Sequence, residues 1–328
     1  MASRLPVSFF GVAVGLLALA NAWRVATRLW LLPKAPAEVL TAVAVGVWSG
    51  LLLAYAAKWL RYRDAALAEV EHPVQSAFSA LVPVSSLLAA MAVLPYFRPA
   101  GVAIYGVSIL GQLSLGLLLH GRFWQGGRKP ELVTPALYLP TVTQNFVAAT
   151  AASEFGWPQL GALFLGAGLL SWLAIESLIL QRAAVHEALP ETLRPSIGIQ
   201  LSPPVVGGAA YLSVTQGVPD LFAQILLGYG LYQALLLIRL LPWISVQPYA
   251  TSYWAFSFGI AALPTMAMRM LERGTTGLLE WVAPVLFAAA NVAFGILVVR
   301  TLSLLMLKGT FLPSSTSGDA DSRLTPVK

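Results

Sequence analysis

The sequence predicts an all-α membrane protein of ten transmembrane helices, and three observations predict it. Only 10% of its 328 residues are charged and 58% are hydrophobic, whereas a soluble domain carries roughly a quarter charged residues. Its mean hydropathy is +0.75. Apolar runs longer than about 18 residues, the length that crosses a ~30 Å hydrocarbon core, recur along the chain. These runs are continuous rather than alternating, which excludes a transmembrane barrel. Backbone groups in lipid must be paired internally, so each run is a helix.

The ten segments cover approximately 6–30, 36–60, 74–94, 99–121, 134–152, 157–181, 196–214, 218–241, 248–270 and 277–306. The first carries Gly11 and Gly15. Its run from Ala18 to Ala22 resembles a signal cleavage site, but its loss would leave nine helices and break the pairing described below. The second ends at Lys58 and Arg61. The third contains Pro83. The fourth is followed by Arg122, Arg128 and Lys129. The fifth contains Pro140, and the sixth holds Glu176, the clearest acid within a span. Pro203 and Pro204 lie in the seventh, and Pro264 lies in the ninth. In the tenth, Pro284 falls within the first two turns. The polar stretch 309–328, rich in Ser, Thr, Asp and Pro, cannot bury enough apolar surface to order itself. The chain therefore reads as a transmembrane domain, 1–308, and a disordered tail, 309–328.

Basic residues set the orientation. Fourteen of the 20 Lys and Arg residues fall on the side that carries both termini, and six fall on the other. The excess places both termini in the cytoplasm. Trp30, Trp59, Trp157, Trp243 and Trp281 lie near segment ends, as an interfacial aromatic belt requires. The net charge of +6 is explained by orientation, not by nucleic acid.

The chain has no cysteine and only three scattered histidines, His72, His120 and His186. No disulfide, thiolate metal site or cysteine nucleophile follows. Metalloprotease, nucleophile-elbow and phosphate-loop motifs are all absent, which argues against an enzyme and against a cofactor.

Proline placement alternates. Segments three, five, seven and nine carry interior prolines, and segment one has Gly11 and Gly15 instead, whereas segments two, four, six and eight have prolines only at their starts. An interior proline removes a backbone hydrogen bond and kinks the helix. In lipid such breaks are tolerated where protein encloses the helix or it lines a wet cavity. The alternation predicts five helical hairpins, with kinked odd helices around a central path and smoother even helices outside. The odd segments carry almost no charge near their centres. Weak binding of this kind suits conduction, where an ion must leave as readily as it enters. Arg122, Arg128 and Lys129 are candidates to enrich anions at the cytoplasmic mouth. Glu176, on an even helix, reads as a paired structural or oligomer-contact residue. The GxxxG pairs Gly11/Gly15 and Gly46/Gly50, with Gly106, Gly111 and Gly116, permit close helix approach.

Five stretches carry a family resemblance: Phe123-Trp-Gln-Gly-Gly127, Tyr138-Leu-Pro-Thr-Val-Thr-Gln-Asn-Phe146, Gly228-Tyr-Gly230, Arg239-Leu-Leu-Pro-Trp-Ile244 and Trp254-Ala-Phe-Ser-Phe-Gly259. In these the chain resembles the tellurite-resistance/dicarboxylate transporter family, which includes bacterial TehA and the plant guard-cell slow anion channels. The resemblance extends from about Phe9 to about Lys308 and is nearest to the bacterial branch. It implies five hairpins around a pore, a homotrimer with one pore per subunit, and a bacterial inner-membrane location. It also implies a phenylalanine on the ninth helix that blocks the pore. The matching position is Phe258, with Gly259 beside it giving the ring room and Gly11 and Gly15 of the first helix nearby. Two readings stay open. One is a gated channel for small monovalent anions such as chloride or nitrate. The other is a proton-coupled carrier of C4-dicarboxylates, tellurite or related oxyanions.

Overall fold

A computed structural model describes residues 5–308; the expected disordered tail at 309–328 lies outside them. The described residues are helical throughout, with no strand. The first segment is a short 3-10 turn, Val7–Phe9, leading into α1 (Phe10–Leu29). A long helix α2 (Lys34–Arg61) follows. The short helix α3 (Arg63–Glu71) was not expected; it covers what the sequence presented as a loop. It is anchored by Glu69, which pairs with Lys58 of α2 at 2.7 Å.

The third segment is broken into α4 (Gln75–Phe78) and α5 (Leu81–Val93). After α6 (Arg98–Trp124), the fifth segment changes geometry twice: a 3-10 turn Pro135–Tyr138, a π-helical stretch Leu139–Thr143, then α7 (Gln144–Glu154). Helix α8 spans Pro158–Val185. A 3-10 helix, Glu191–Leu201, runs into α9 (Ser202–Val214). Helix α10 (Leu221–Ile244) begins at the cap residue Asp220, whose carboxylate accepts the Ala223 N–H. A further 3-10 turn, Thr251–Phe256, precedes α11 (Ser257–Glu272), and α12 (Leu278–Lys308) closes the described chain.

Helix packing gives the architecture. α1 packs on α5, α5 on α7, α7 on α9, α9 on α11, and α11 returns to α1. The ring of five is closed. Outside it, α2 packs on α1, α6 on α5, α8 on α7, α10 on α9 and α12 on α11. Burial follows the same division. The segments of α1, α5, α9 and α11 are 67–78% buried within the molecule, and those of α2, α6, α8, α10 and α12 are 17–33% buried. Outer helices therefore present apolar side chains outward, as helices facing lipid must.

Among the described residues nine helices are long and apolar enough to cross a membrane, not the expected ten. The fifth segment falls short for a physical reason. Pro135 to Gln144 is buried continuously, so it can hold Thr141, Thr143 and Gln144 without exposing them to lipid.

The prolines act differently from the simple kink expected of them. Pro83 is the third residue of α5, Pro140 lies in the π-helical stretch, and Pro203 and Pro204 sit at the first positions of α9. A proline in the first turn of a helix removes no needed donor. These four mark junctions between backbone geometries. Of the five candidate prolines, Pro264 alone lies inside an unbroken α-helix, α11. On the outer side, α10 runs three residues further than expected, which puts Pro242 inside its last turn.

A candidate ion path along the inner ring

Three cavities lie in succession along the ring. A basin of about 560 Å³ opens on the face carrying the N-terminal end; its walls include Ser8, Gly11 and Val14 of the first segment, His72, Glu131 and Ser196, and its floor includes Phe258. A narrow cavity of about 40 Å³ follows. Every inner helix contributes to it: Ala18 and Asn21 from α1, Leu88 and Met91 from α5, Val147 and Thr150 from α7, Val206 and Ala209 from α9, and Phe258, Ala262, Thr265 and Arg269 from α11. Phe258 belongs to the walls of both. Asn21, Met91 and Arg269 then lead from the narrow cavity into a far basin of about 370 Å³ at the opposite face.

The backbone under Phe258 is held by close contacts. A Cβ built on Gly15 would lie 2.3 Å from Ser257 Oγ, so α1 and α11 meet at a distance only glycine permits. A Cβ on Gly198 would lie 2.5 Å from the Phe256 ring, and one on Gly259 would lie 2.7 Å from Leu201 Cβ. Leu201 thus packs directly against Gly259. Gly11 is looser, with Leu81 and Trp254 at 3.9 and 4.0 Å from its Cβ position. Ser257 Oγ donates to the Trp254 carbonyl at 2.7 Å, and Trp254 Nε1 donates to Thr301 Oγ1 of α12 at 2.9 Å. The start of α11 is pinned to α1, to the 3-10 helix Glu191–Leu201 and to α12 together.

Other predicted residues fall elsewhere. Arg122 and Arg128 border a separate crevice of about 130 Å³ beside Phe123 and Pro140, not the basin above Phe258. Arg128 donates to the Pro73 and Leu132 carbonyls, both at 3.2 Å, and stacks over Phe123. Burial lowers its pKa from the usual guanidinium value. Lys129 is exposed. Arg122 lies in the last turn of the outer helix α6, and Arg128 and Lys129 lie in the loop that follows it. None of the five candidate prolines lines the three axial cavities. Of the small residues, Gly116 lets α6 approach the Pro140 carbonyl, at 3.1 Å from its Cβ position, whereas Gly46, Gly50 and Gly106 face open space.

Glu176 stands off the path, as its place on an outer helix suggested. Its carboxylate accepts from Tyr138 at 2.5 Å, from Trp172 Nε1 at 2.9 Å and from Tyr229 at 2.9 Å, and Gln233 donates on to the Tyr229 hydroxyl at 2.8 Å. It joins the fifth segment, α8 and α10.

Sequence reasoning missed Arg269. One of the six basic residues on the side opposite the termini, it is the charged side chain of the narrow cavity. A helical spacing of eleven residues from Phe258, about three turns, was the signal that placed both on one face.

A closed ring of inner helices, an apolar outer shell and an axial series of cavities define a multi-pass helical membrane protein. Residues 4–302 match the SLAC1 family, described as voltage-dependent anion channels. The chain belongs to this family, as the motif resemblance had indicated. It is 35% identical over 308 residues to a tellurite resistance protein TehA homolog of Haemophilus influenzae, covering 94% of this chain and 92% of that one. It is 24% identical over 286 residues to the guard cell S-type anion channel SLAC1 of Arabidopsis thaliana, covering 82% of this chain and half of that protein. An uncharacterized transporter, MJ0576, of Methanocaldococcus jannaschii is 26% identical over 236 residues, covering 64% of this chain and 67% of that one.

Proposed function

We propose that this protein is a gated channel for small monovalent anions such as chloride and nitrate, with Phe258 as the plug. The observation that carries the reading is the position of Phe258, shared by the walls of the wide basin and the narrow cavity below it. An apolar ring at a constriction excludes water, and an ion at that depth must shed hydration that the ring cannot replace. Removing the ring joins the two cavities. Membership of a family of voltage-dependent anion channels and similarity to a guard cell anion channel support anions as the permeant class. The protein works in a bacterial inner membrane as a homotrimer, one path per subunit, with both termini in the cytoplasm.

The test is current recording in planar bilayers or oocytes. Phe258→Ala passes chloride and nitrate at least about tenfold faster than the parent, equivalent to a barrier lowered by about 1.4 kcal/mol. An unchanged current in a well-expressed variant sinks the reading.

The alternative is a proton-coupled carrier of C4-dicarboxylates or tellurite, consistent with the relative named for tellurite resistance. Such a carrier wants a proton-binding acid or histidine at the constriction, and the narrow cavity has none among its lining residues. Glu176 is held off it by Tyr138, Trp172 and Tyr229. Saturable uptake that follows a pH gradient would favour the carrier over the channel.

A further inference from the structure

We propose that Arg269 and Asn21 form a weak binding site for one small monovalent anion, such as a halide or nitrate, at the junction of the narrow cavity and the far basin. The inference rests on the anion-path reading and names the residues that set its selectivity. Both side chains belong to the walls of both cavities, so a solute passing between them must pass beside both.

The donor chemistry suits an anion. A guanidinium carries five N–H donors and no acceptor. Arg269 Nη1 donates to Ser213 Oγ of α9 and Nη2 donates to Glu154 Oε1 of α7, each at 2.8 Å. These bonds fix the planar group and leave further N–H donors for a ligand. The Asn21 amide has no hydrogen bond among the described residues. The cavity's threonines do not compete as donors: Thr265 donates to the Ala261 carbonyl and Thr150 to the Phe146 carbonyl. Within the narrow cavity a cation would meet Arg269 and find only helix-bound hydroxyls and an amide.

The pair also sets the strength. The Arg269 side chain is 14% exposed and that of Glu154 32%. The Glu154 carboxylate offsets part of the arginine charge, and an anion held by a half-neutralised guanidinium leaves readily, as conduction requires. Beyond it, Arg24, Arg28 and Lys34 line the far basin against Glu38 and Glu154. Arg24 is tied to the Ala92 carbonyl and Arg28 to Glu272. They act through the field of the basin and raise the local anion concentration.

Thermal stability of the purified protein, read in sodium chloride against sodium gluconate at matched ionic strength, tests the site without depending on current. Ligand that binds only the folded state raises the melting midpoint. Chloride stabilises the parent and Phe258→Ala alike. Arg269→Gln raises the half-saturating chloride concentration about tenfold or more, the loss of one charge-assisted contact; Arg269→Lys keeps part of the effect. Glu154→Gln lowers the half-saturating concentration, a gain that a purely structural ion pair does not give. If Arg269→Gln fails to fold, Glu154→Gln and Asn21→Ala decide. Chloride stabilisation that is absent in the parent, or unmoved in these variants, overturns the proposal. A protein stabilised by chloride at Arg269 whose Phe258→Ala form carries no current keeps this site and rejects the channel.

Discussion

Gly15 of α1 and Ser257 of α11 share one volume: the position of a Cβ on the glycine lies 2.3 Å from Ser257 Oγ and 2.6 Å from Ser257 Cβ. Gly15→Ala must therefore push apart two helices of the inner ring directly beside Phe258. Overpacking of this kind costs about 1–3 kcal/mol. The expected result is a lower melting midpoint, recovered in large part by adding Ser257→Gly, which removes both offending atoms. Single variants whose effects simply add would show that the two positions are not coupled.

Ring size at position 258 should order the conductance. Leucine fills less of the constriction than phenylalanine and more than alanine, so single-channel or macroscopic current rises from the parent through Phe258→Leu to Phe258→Ala. A dewetted constriction opens as it widens. Leucine and alanine variants with equal currents, or a reversed order, would place the barrier elsewhere.

Glu176 ties three segments together, with hydrogen bonds from Tyr138, Trp172 and Tyr229. Hydrogen bonds between membrane helices average roughly 0.6 kcal/mol each. Glu176→Gln is expected to lower stability in detergent by about 1–2 kcal/mol while leaving anion permeability and its pH dependence as in the parent. Loss of transport from a protein of normal stability would instead assign the carboxylate to the path.

Lys58 is nearly enclosed, with its side chain 4% exposed, and bridges Glu69 of α3 at 2.7 Å and the Leu5 carbonyl at 3.1 Å. Removing one partner leaves the other charge buried without compensation, at a cost of about 3–5 kcal/mol. Lys58→Met should therefore be much less stable than the double variant Lys58→Met/Glu69→Gln. Equal stability of the two would mean that water reaches Glu69 freely.

Asp220 caps α10 from outside the span. Its pKa is lowered first by the hydrogen bond from the Tyr211 hydroxyl and then by the Ala223 N–H. A carboxylate whose pKa is depressed by folding stabilises the fold above the unfolded value of roughly 3.9, and that contribution is lost as pH falls through the folded value. The parent and Asp220→Asn should therefore converge in melting midpoint as pH is lowered below about 4. A difference that persists unchanged at low pH would remove the charge from the argument.

Much of the architecture was legible along the chain. Apolar length marks each span, and the alternation of interior prolines and glycines separated the inner segments from the outer ones, because disrupted backbone needs protein around it. Pro140 and the Pro203–Pro204 pair were found in this way, although they mark changes of helical geometry rather than bends in continuous helices. The short helix α3 was missed because its mixture of Ala, Glu and Asp carries no membrane signal. The expectation for Phe258, which lines both the wide basin and the narrow cavity, came from the family motif, since a single phenylalanine in a helix has no local mark of a special role. Arg269 was missed because an arginine near a segment end is equally explained by orientation in the membrane, and Arg122 and Arg128 border a separate crevice rather than the basin above Phe258.

By itself, the sequence determined the membrane class, the order of the spans, which of them lie inside and the family, since these rest on local composition, periodicity and motif. Only the tertiary structure decided which side chains meet on the axis. Successive residues of an α-helix point about 100° apart, so the rotation of each helix chooses what faces the path. That rotation is set by contacts between distant segments, such as Gly15 on Ser257 and Leu201 on Gly259.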